Sequence, residues 1–157
     1  MSERPYFHVA YLVEDIHEAM ETFSKSMGVE FLDPIVSTAR FYQRGREDEL
    51  LKATITYSKQ ASGPYVELVE AQGDGLFRLE QGQGVHHVGI WEPDCEAKVE
   101  EMKAKGIDLL AAQYTPEGKI IVAYFAPEDL HGVILEIVDE GRKEMMMKWF
   151  SGEPYVD

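Results

Sequence analysis

The chain has 157 residues, 45% of them hydrophobic and 28% charged, which suits one ordinary globular domain with enough length for a core. Fifteen lysines and arginines against 29 aspartates and glutamates give a net charge of −14. Nucleic acid and anionic membrane need a basic face, so neither is an expected partner. A single cysteine, Cys95, excludes an internal disulfide and points to a reducing compartment. No apolar run is long enough to span a bilayer and no leader pattern opens the chain, so a cytoplasmic protein is expected. The densest basic stretch, Arg40, Arg44, Arg46 and Lys52, is interrupted by Glu47, Asp48 and Glu49 and reads as a mixed, solvated loop.

In chain order, Tyr6 to Val13 is apolar and β-rich, and alternation puts His8 on the face of Tyr6, Ala10 and Leu12. Asp15 with Glu18 three residues on is a capping-box pattern. It opens a helix whose Ile16, Ala19, Met20, Phe23 and Met27 form one apolar stripe, and Gly28 sits where a left-handed cap belongs. Extended segments are expected near 29–32, 35–42, 51–58 and 64–70, the first two compatible with one bent strand. Gly73 to Gly84 reads as a linker with a short helical turn at Leu76 to Glu80. Val85 to Glu92 is the next strand, with His87 on the face of Val85, Gly89 and Trp91, and His86 on the opposite, structural face. Asp94 caps a second helix with Cys95, Val99 and Met102 on its stripe, and Gly106 ends it. Strands follow near 107–113, 119–125 and 132–138. The tail from Gly141 reads as a short helix, its Met145 to Phe150 cluster serving packing or a dimer contact.

The order repeats. Phe7-His8-Val9-Ala10-Tyr11 resembles His86-His87-Val88-Gly89-Ile90, Gly28-Val29-Glu30 resembles Gly106-Ile107-Asp108, and Val66-Glu67-Leu68-Val69-Glu70 resembles Leu135-Glu136-Ile137-Val138-Asp139. The first half carries about ten extra residues around Arg40 to Glu49. The chain therefore divides into modules 5–72 and 84–140 within one domain, followed by a tail at 141–157.

The repeat brings chemistry into register. His8 matches His87 on first strands, and Glu67 matches Glu136 on last strands among apolar neighbours. A carboxylate on a buried strand face costs several kcal/mol unless it is paired or metal-bound. Two imidazoles and two carboxylates converging on a pseudo-twofold axis suit one divalent ion: Zn²⁺, Co²⁺, Ni²⁺, Mn²⁺ or Fe²⁺. An octahedral ion would keep two positions open for a small-molecule substrate. His17, on the first helix, and His131, in a loop, read as solvent-exposed. Of the strand aromatics Tyr11, Phe41, Tyr57, Tyr65, Trp91 and Tyr124, most read as core packing. Tyr65 and Trp91 share the faces of Glu67 and His87 and are the expected pocket residues.

These residues resemble the vicinal oxygen chelate superfamily, the glyoxalase/bleomycin-resistance fold, from about Tyr6 to Asp139. Within it, His8-Val9-Ala10-Tyr11-Leu12-Val13-Glu14-Asp15-Ile16, Val66-Glu67-Leu68-Val69-Glu70, Gly84-Val85-His86-His87-Val88-Gly89, Ala123-Tyr124-Phe125-Ala126-Pro127 and Gly132-Val133-Ile134-Leu135-Glu136 look most like methylmalonyl-CoA epimerases. The resemblance implies an α+β fold of two βαβββ modules forming a curled mixed sheet around a central metal cup. It implies one divalent metal held by His8, Glu67, His87 and Glu136, and a homodimer.

It also implies an isomerase or epimerase that removes a proton α to a carbonyl through a metal-stabilised enolate. Glu136 is the expected base from the metal shell and Glu49 the nearest match for a second acid/base group. The chain lacks an obvious basic cluster for coenzyme A phosphates, which favours a smaller or less charged carbonyl substrate. The rivals are a glyoxalase I-like lactoylglutathione lyase, whose glutathione-binding arginine is replaced here by the Tyr11-Leu12-Val13 stretch, and an extradiol-type dioxygenase needing only His8, His87 and Glu136. A metal-free binding protein of the same fold is the non-enzymatic rival, against which the full quartet argues.

Overall fold

A computed structural model of the chain describes residues 6–156. The first half runs β1 (His8–Val13), α1 (Ile16–Met27), β2 (Ile35–Gln43), β3 (Glu49–Tyr57) and β4 (Tyr65–Glu70). The second repeats it as β5 (Gly84–Glu92), α2 (Cys95–Ala104), β6 (Leu109–Tyr114), β7 (Ile120–Phe125) and β8 (Leu135–Asp139), and α3 (Lys143–Phe150) follows. The expected extension at 29–32 is reduced to one bridge between Phe31 and Ser58. The linker turn lies at Leu79–Gln81, a few residues later than its expected place.

Both long helices start as the sequence dictates. The Asp15 carboxylate accepts from the Glu18 amide at 3.0 Å, and the Asp94 carboxylate accepts from the Ala97 amide at 3.0 Å, each satisfying an orphan donor of the first turn. Gly28, at φ 69°, closes α1 in the left-handed conformation, with its amide bonded to the Phe23 and Ser24 carbonyls. α1 packs on one side through Ile16, Ala19, Met20 and Phe23 against Val13, Phe31 and Leu68, while Met27 is exposed. α2 buries Cys95 and Met102 against Ala112, Ala123, Phe125 and Ile137. A fully buried Leu or Ile here contributes about 1.5–3 kcal/mol.

The strands form one closed barrel in the order β1-β4-β3-β2-β6-β7-β8-β5. Each half contributes a parallel pair, β1 with β4 and β5 with β8, and the halves join through antiparallel β1–β5 and β2–β6 pairs. The registers repeat. Ala10 pairs with Glu67 in the first parallel pair and Gly89 with Glu136 in the second, each two residues past its module's histidine. Across β1–β5, His8 faces Gly89 and His87 faces Ala10, so each histidine has a small residue opposite it.

That last ladder breaks at one place. Ala10 pairs with His87 but Tyr11 with Val85, leaving His86 without a partner opposite: a β-bulge. Strict alternation puts Val85 on the face of His87 and His86 on the other. The bulge reverses this locally, so His86 and His87 are both buried while Val85 is 67% exposed.

Candidate metal centre

The barrel interior holds a cup lined mainly by apolar and aromatic side chains, with Glu67 and Glu136 in its wall. His8, Glu67, His87 and Glu136 are all buried, and one potential ligand atom from each lies within 4.8 Å of all the others. His87 Nε2 stands 3.0 Å from Glu136, 3.2 Å from Glu67 and 3.1 Å from His8 Nε2. His8 Nε2 is 3.5 Å from Glu136 and 3.7 Å from Glu67. Four strands deliver these groups, two from each half.

The donor set fits a divalent cation. Among the described residues the two buried carboxylates have only the two imidazoles as ion-pair partners, and two imidazole nitrogens at 3.1 Å cannot both carry protons. Desolvation lowers His8 to about 3 and leaves it neutral. Desolvation also pulls His87 down, but Glu136 and then Glu67 outweigh it and raise it to about 9. The cluster thus holds a single imidazolium proton at the place a cation would occupy. His8 Nδ1 is buried with no hydrogen-bond partner, so its ring is held by packing. Phe7 lies edge-on at 4.4 Å and Tyr57 at 5.5 Å, and a Cβ on Gly89 would collide with the His8 imidazole.

The repeat extends to a pair that the sequence reading assigned to core packing. Tyr57 is the cross-strand partner of Glu67, and Tyr124 of Glu136. Burial, and then the facing carboxylates, hold both phenols well above the ordinary tyrosine range. Both remain protonated donors directed at the carboxylates. Matched cross-strand placement opposite each glutamate was the signal available in the sequence.

Other expected residues lie elsewhere. Glu49 is outside the cup. Its carboxylate accepts from Gln43 Nε2 at 2.7 Å and from Arg46 Nη2 at 2.8 Å, because β3 begins there, at the barrel rim. The face of β3 that lines the cup is Leu51, Ala53, Ile55 and Tyr57, with no second carboxylate. Tyr65 shares the face of Glu67 but lies nearer the barrel end, packed on Phe150 at 4.5 Å beside a separate side cavity. Trp91 stacks flat on Phe7 at 3.8 Å and is not in the cup wall. His17 and His131 are exposed, as expected.

The tail supplies what replaces them. Met146 and Trp149 of α3, with Arg142 and Tyr155 flanking it, border the cup, and the cavity left above the carboxylates encloses about 80 Å³. Sites for drug-sized ligands run to about 300–1,000 Å³, so this one admits only a few heavy atoms as it stands. Met146, Trp149 and Phe150 are buried in the chain's own core, so this cluster serves packing.

The family model described as the glyoxalase/bleomycin resistance protein/dioxygenase superfamily matches residues 7–125. No curated protein gives a match. Among solved structures, a variant of Streptomyces coelicolor methylmalonyl-CoA epimerase in complex with 2-nitronate-propionyl-CoA is similar at a TM-score of 0.62 and 21% identity, over 88% of this chain and 95% of that one. Methylmalonyl-CoA epimerase from Mycobacterium tuberculosis is similar at 0.60 and 16%, over 85% and 86%. Likeness at these identities speaks for the fold alone. With the family match covering most of its length and two βαβββ halves closing one barrel, the chain belongs to the glyoxalase/bleomycin resistance protein/dioxygenase superfamily.

Proposed function

We propose that the protein is a metal-dependent isomerase or lyase that moves a proton on the carbon next to a carbonyl, as an epimerase does, acting on a compact carbonyl compound. The observation that carries this is the doubled set of donors: a histidine, a glutamate and a protonated tyrosine from each half, gathered at one small cup. His8, Glu67, His87 and Glu136 would hold one divalent ion. When bound, the ion supplies Lewis acidity that makes the α-proton of a nearby carbonyl removable.

The chain's own residues do the rest. Glu67 and Glu136 approach from different halves, so one, entering as the carboxylate, can take the proton from one face of the carbon, and the other, entering as the carboxylic acid, can return its own proton to the opposite face and end the step ionised. This assigns to Glu67 the second acid/base role expected of Glu49, whose carboxylate is engaged at the rim. Tyr57 and Tyr124, cross-strand from the two glutamates, orient their side chains. The apolar walls, with Trp149 above, exclude water and strengthen these interactions. The size of the cup favours a small substrate over a coenzyme A thioester, for which α3 would have to move aside. The second buried carboxylate sets the site apart from the two-histidine, one-carboxylate arrangement of a dioxygenase.

Two measurements test this reading. Gently purified protein should retain, or take up on supplementation, about one divalent ion per chain. Small α-substituted carbonyl compounds incubated with it in D₂O should exchange the α-proton only when the metal is present. A protein that takes up no ion, or that exchanges nothing across a broad panel while metal-loaded, would overturn it.

A further inference from the structure

A path of hydrogen bonds runs from the barrel rim to the back of His87, and donor and acceptor chemistry fixes its direction at every link. The Glu49 carboxylate can only accept, and it does so from Gln43 Nε2 at 2.7 Å. That sets the Gln43 amide, whose Oε1 accepts from the Leu76 backbone N–H at 2.7 Å. The carbonyl of the same residue can only accept, and His86 Nε2 lies 2.9 Å from it. His86 therefore carries its proton on Nε2. Its Nδ1 stands 2.8 Å from His87 Nδ1. A neutral His86 with a proton on Nε2 has a bare Nδ1, so the hydrogen in that contact belongs to His87.

We infer that Glu49, Gln43, Leu76 and His86 form one directional relay that fixes a proton on His87 Nδ1 and turns its Nε2 toward Glu67, Glu136 and His8, so that Nε2 is the nitrogen freed for a cation. His86 and Gln43 are positioning residues in this relay. The position of the Nδ1 proton stands on the hydrogen-bond geometry alone, and only its purpose, presenting a ligand nitrogen to a cation, rests on the proposed function.

Independent features support the path. His86 is there because of the bulge in β5, which places two consecutive histidines in the interior. His86 is buried, and its two hydrogen-bond partners are a carbonyl and an imidazole, with no carboxylate to hold a second proton on its ring. Gly75 lies so close to Gln43 that an added Cβ would run into the Gln43 amide oxygen. Gln43 is itself 3% exposed and cannot swing away into solvent. Ligating histidines generally have their second nitrogen held by an acceptor that sets the tautomer, and loss of that acceptor typically weakens metal affinity about 10–100-fold.

The decisive experiment reads proton positions on the full-length chain by imidazole ¹⁵N NMR, first without metal and then with one equivalent of Zn²⁺. His86 should carry its proton on Nε2 in both samples. His87 should keep a proton on Nδ1 in both, with zinc perturbing its Nε2. A proton on His86 Nδ1, or loss of the His87 Nδ1 proton when zinc binds, overturns the relay. If zinc fails to bind, the metal-free spectrum still decides the relay, while the functional reading falls by itself. Competition titrations with Zn²⁺ give a second readout. His86→Phe should weaken affinity about 10–100-fold, and His86→Gln, which keeps a donor and an acceptor, should recover most of it. Wild-type affinity in a folded His86→Phe protein counts against the relay.

Discussion

The two halves of the barrel place their histidines identically and support them differently. His8 and His87 sit at equivalent points of equivalent strands, two residues before the partner of their module's glutamate. His87 has His86 behind its Nδ1, and through it a path of hydrogen bonds reaching the rim. His8 has nothing bonded to its Nδ1 and is wedged instead between Phe7, Tyr57 and Gly89. The cluster's single proton resides on His87, the ring with an acceptor behind it. Duplication copied the side chains that converge on the centre. It did not copy the shell that aims them, so one ring is oriented by hydrogen bonds and the other by shape.

The largest effects should come from the shared centre, where the halves are alike. His8→Ala and His87→Ala should each reduce divalent-metal affinity by more than the about 100-fold that losing an outer-shell partner brings. Each should also abolish the rise in melting temperature that the ion gives wild-type protein, since an ion at a thousand times its Kd stabilises by about 4 kcal/mol. Metal titration with thermal melts checks this. If one substitution leaves affinity intact, the quartet reduces to a triad and the symmetry of the site is broken.

Next in size is a test of shape against hydrogen bonding. Gly89→Ala puts a methyl where the His8 ring lies, and overpacking of this kind costs about 1–3 kcal/mol. The matched exchange, Ala10→Gly opposite His87, removes a methyl and should cost only about 1 kcal/mol. Metal affinity should fall in Gly89→Ala and hold in Ala10→Gly. Equal behaviour in chemical denaturation and metal titration would show that His8 is not shape-held. Tyr57→Phe and Tyr124→Phe should follow, each removing a donor facing a buried carboxylate and costing about 1.5–3 kcal/mol in metal-free protein. Their effects should match, because this part of the two halves is the same.

Much of this was legible in the sequence because repetition doubles every signal. The strand-helix-strand order, both Asp caps and the His/Glu quartet follow from period and spacing, and the structure brings all four quartet residues together. What escaped depends on local departures from period. Alternation assigns His86 to the opposite face, and one unpaired residue in β5 cancels that. Trp91 has the right parity for the cup, but Phe7 covers it. Glu49 has the right residue type, but it lies at the end of a strand whose inward positions are apolar. The roof of the cup comes from α3, which has no counterpart in the repeat and so no second copy from which to read its role.

The smallest effect, and the sharpest on the asymmetry, is the pH dependence of loading. In metal-free protein His87, at about 9, is protonated at pH 7, whereas His8, at about 3, is not. An ion entering the quartet must therefore displace a proton from the second half and none from the first. Metal affinity should rise with pH up to about 9, by close to tenfold per unit. Calorimetric titrations in buffers of different ionisation enthalpy should count about one imidazole proton released per ion near pH 7. Without the ion the sign reverses. A histidine raised above its unfolded value stabilises the fold below about pH 6.5, and that contribution is lost as pH climbs through 9, so apo protein should weaken over the range in which metal binding strengthens. Release of two protons would mean that His8 is protonated as well and that packing alone does not keep it neutral. Release of none would place the cluster's proton on neither ring, and the asymmetry would then lie only in the groups behind the histidines.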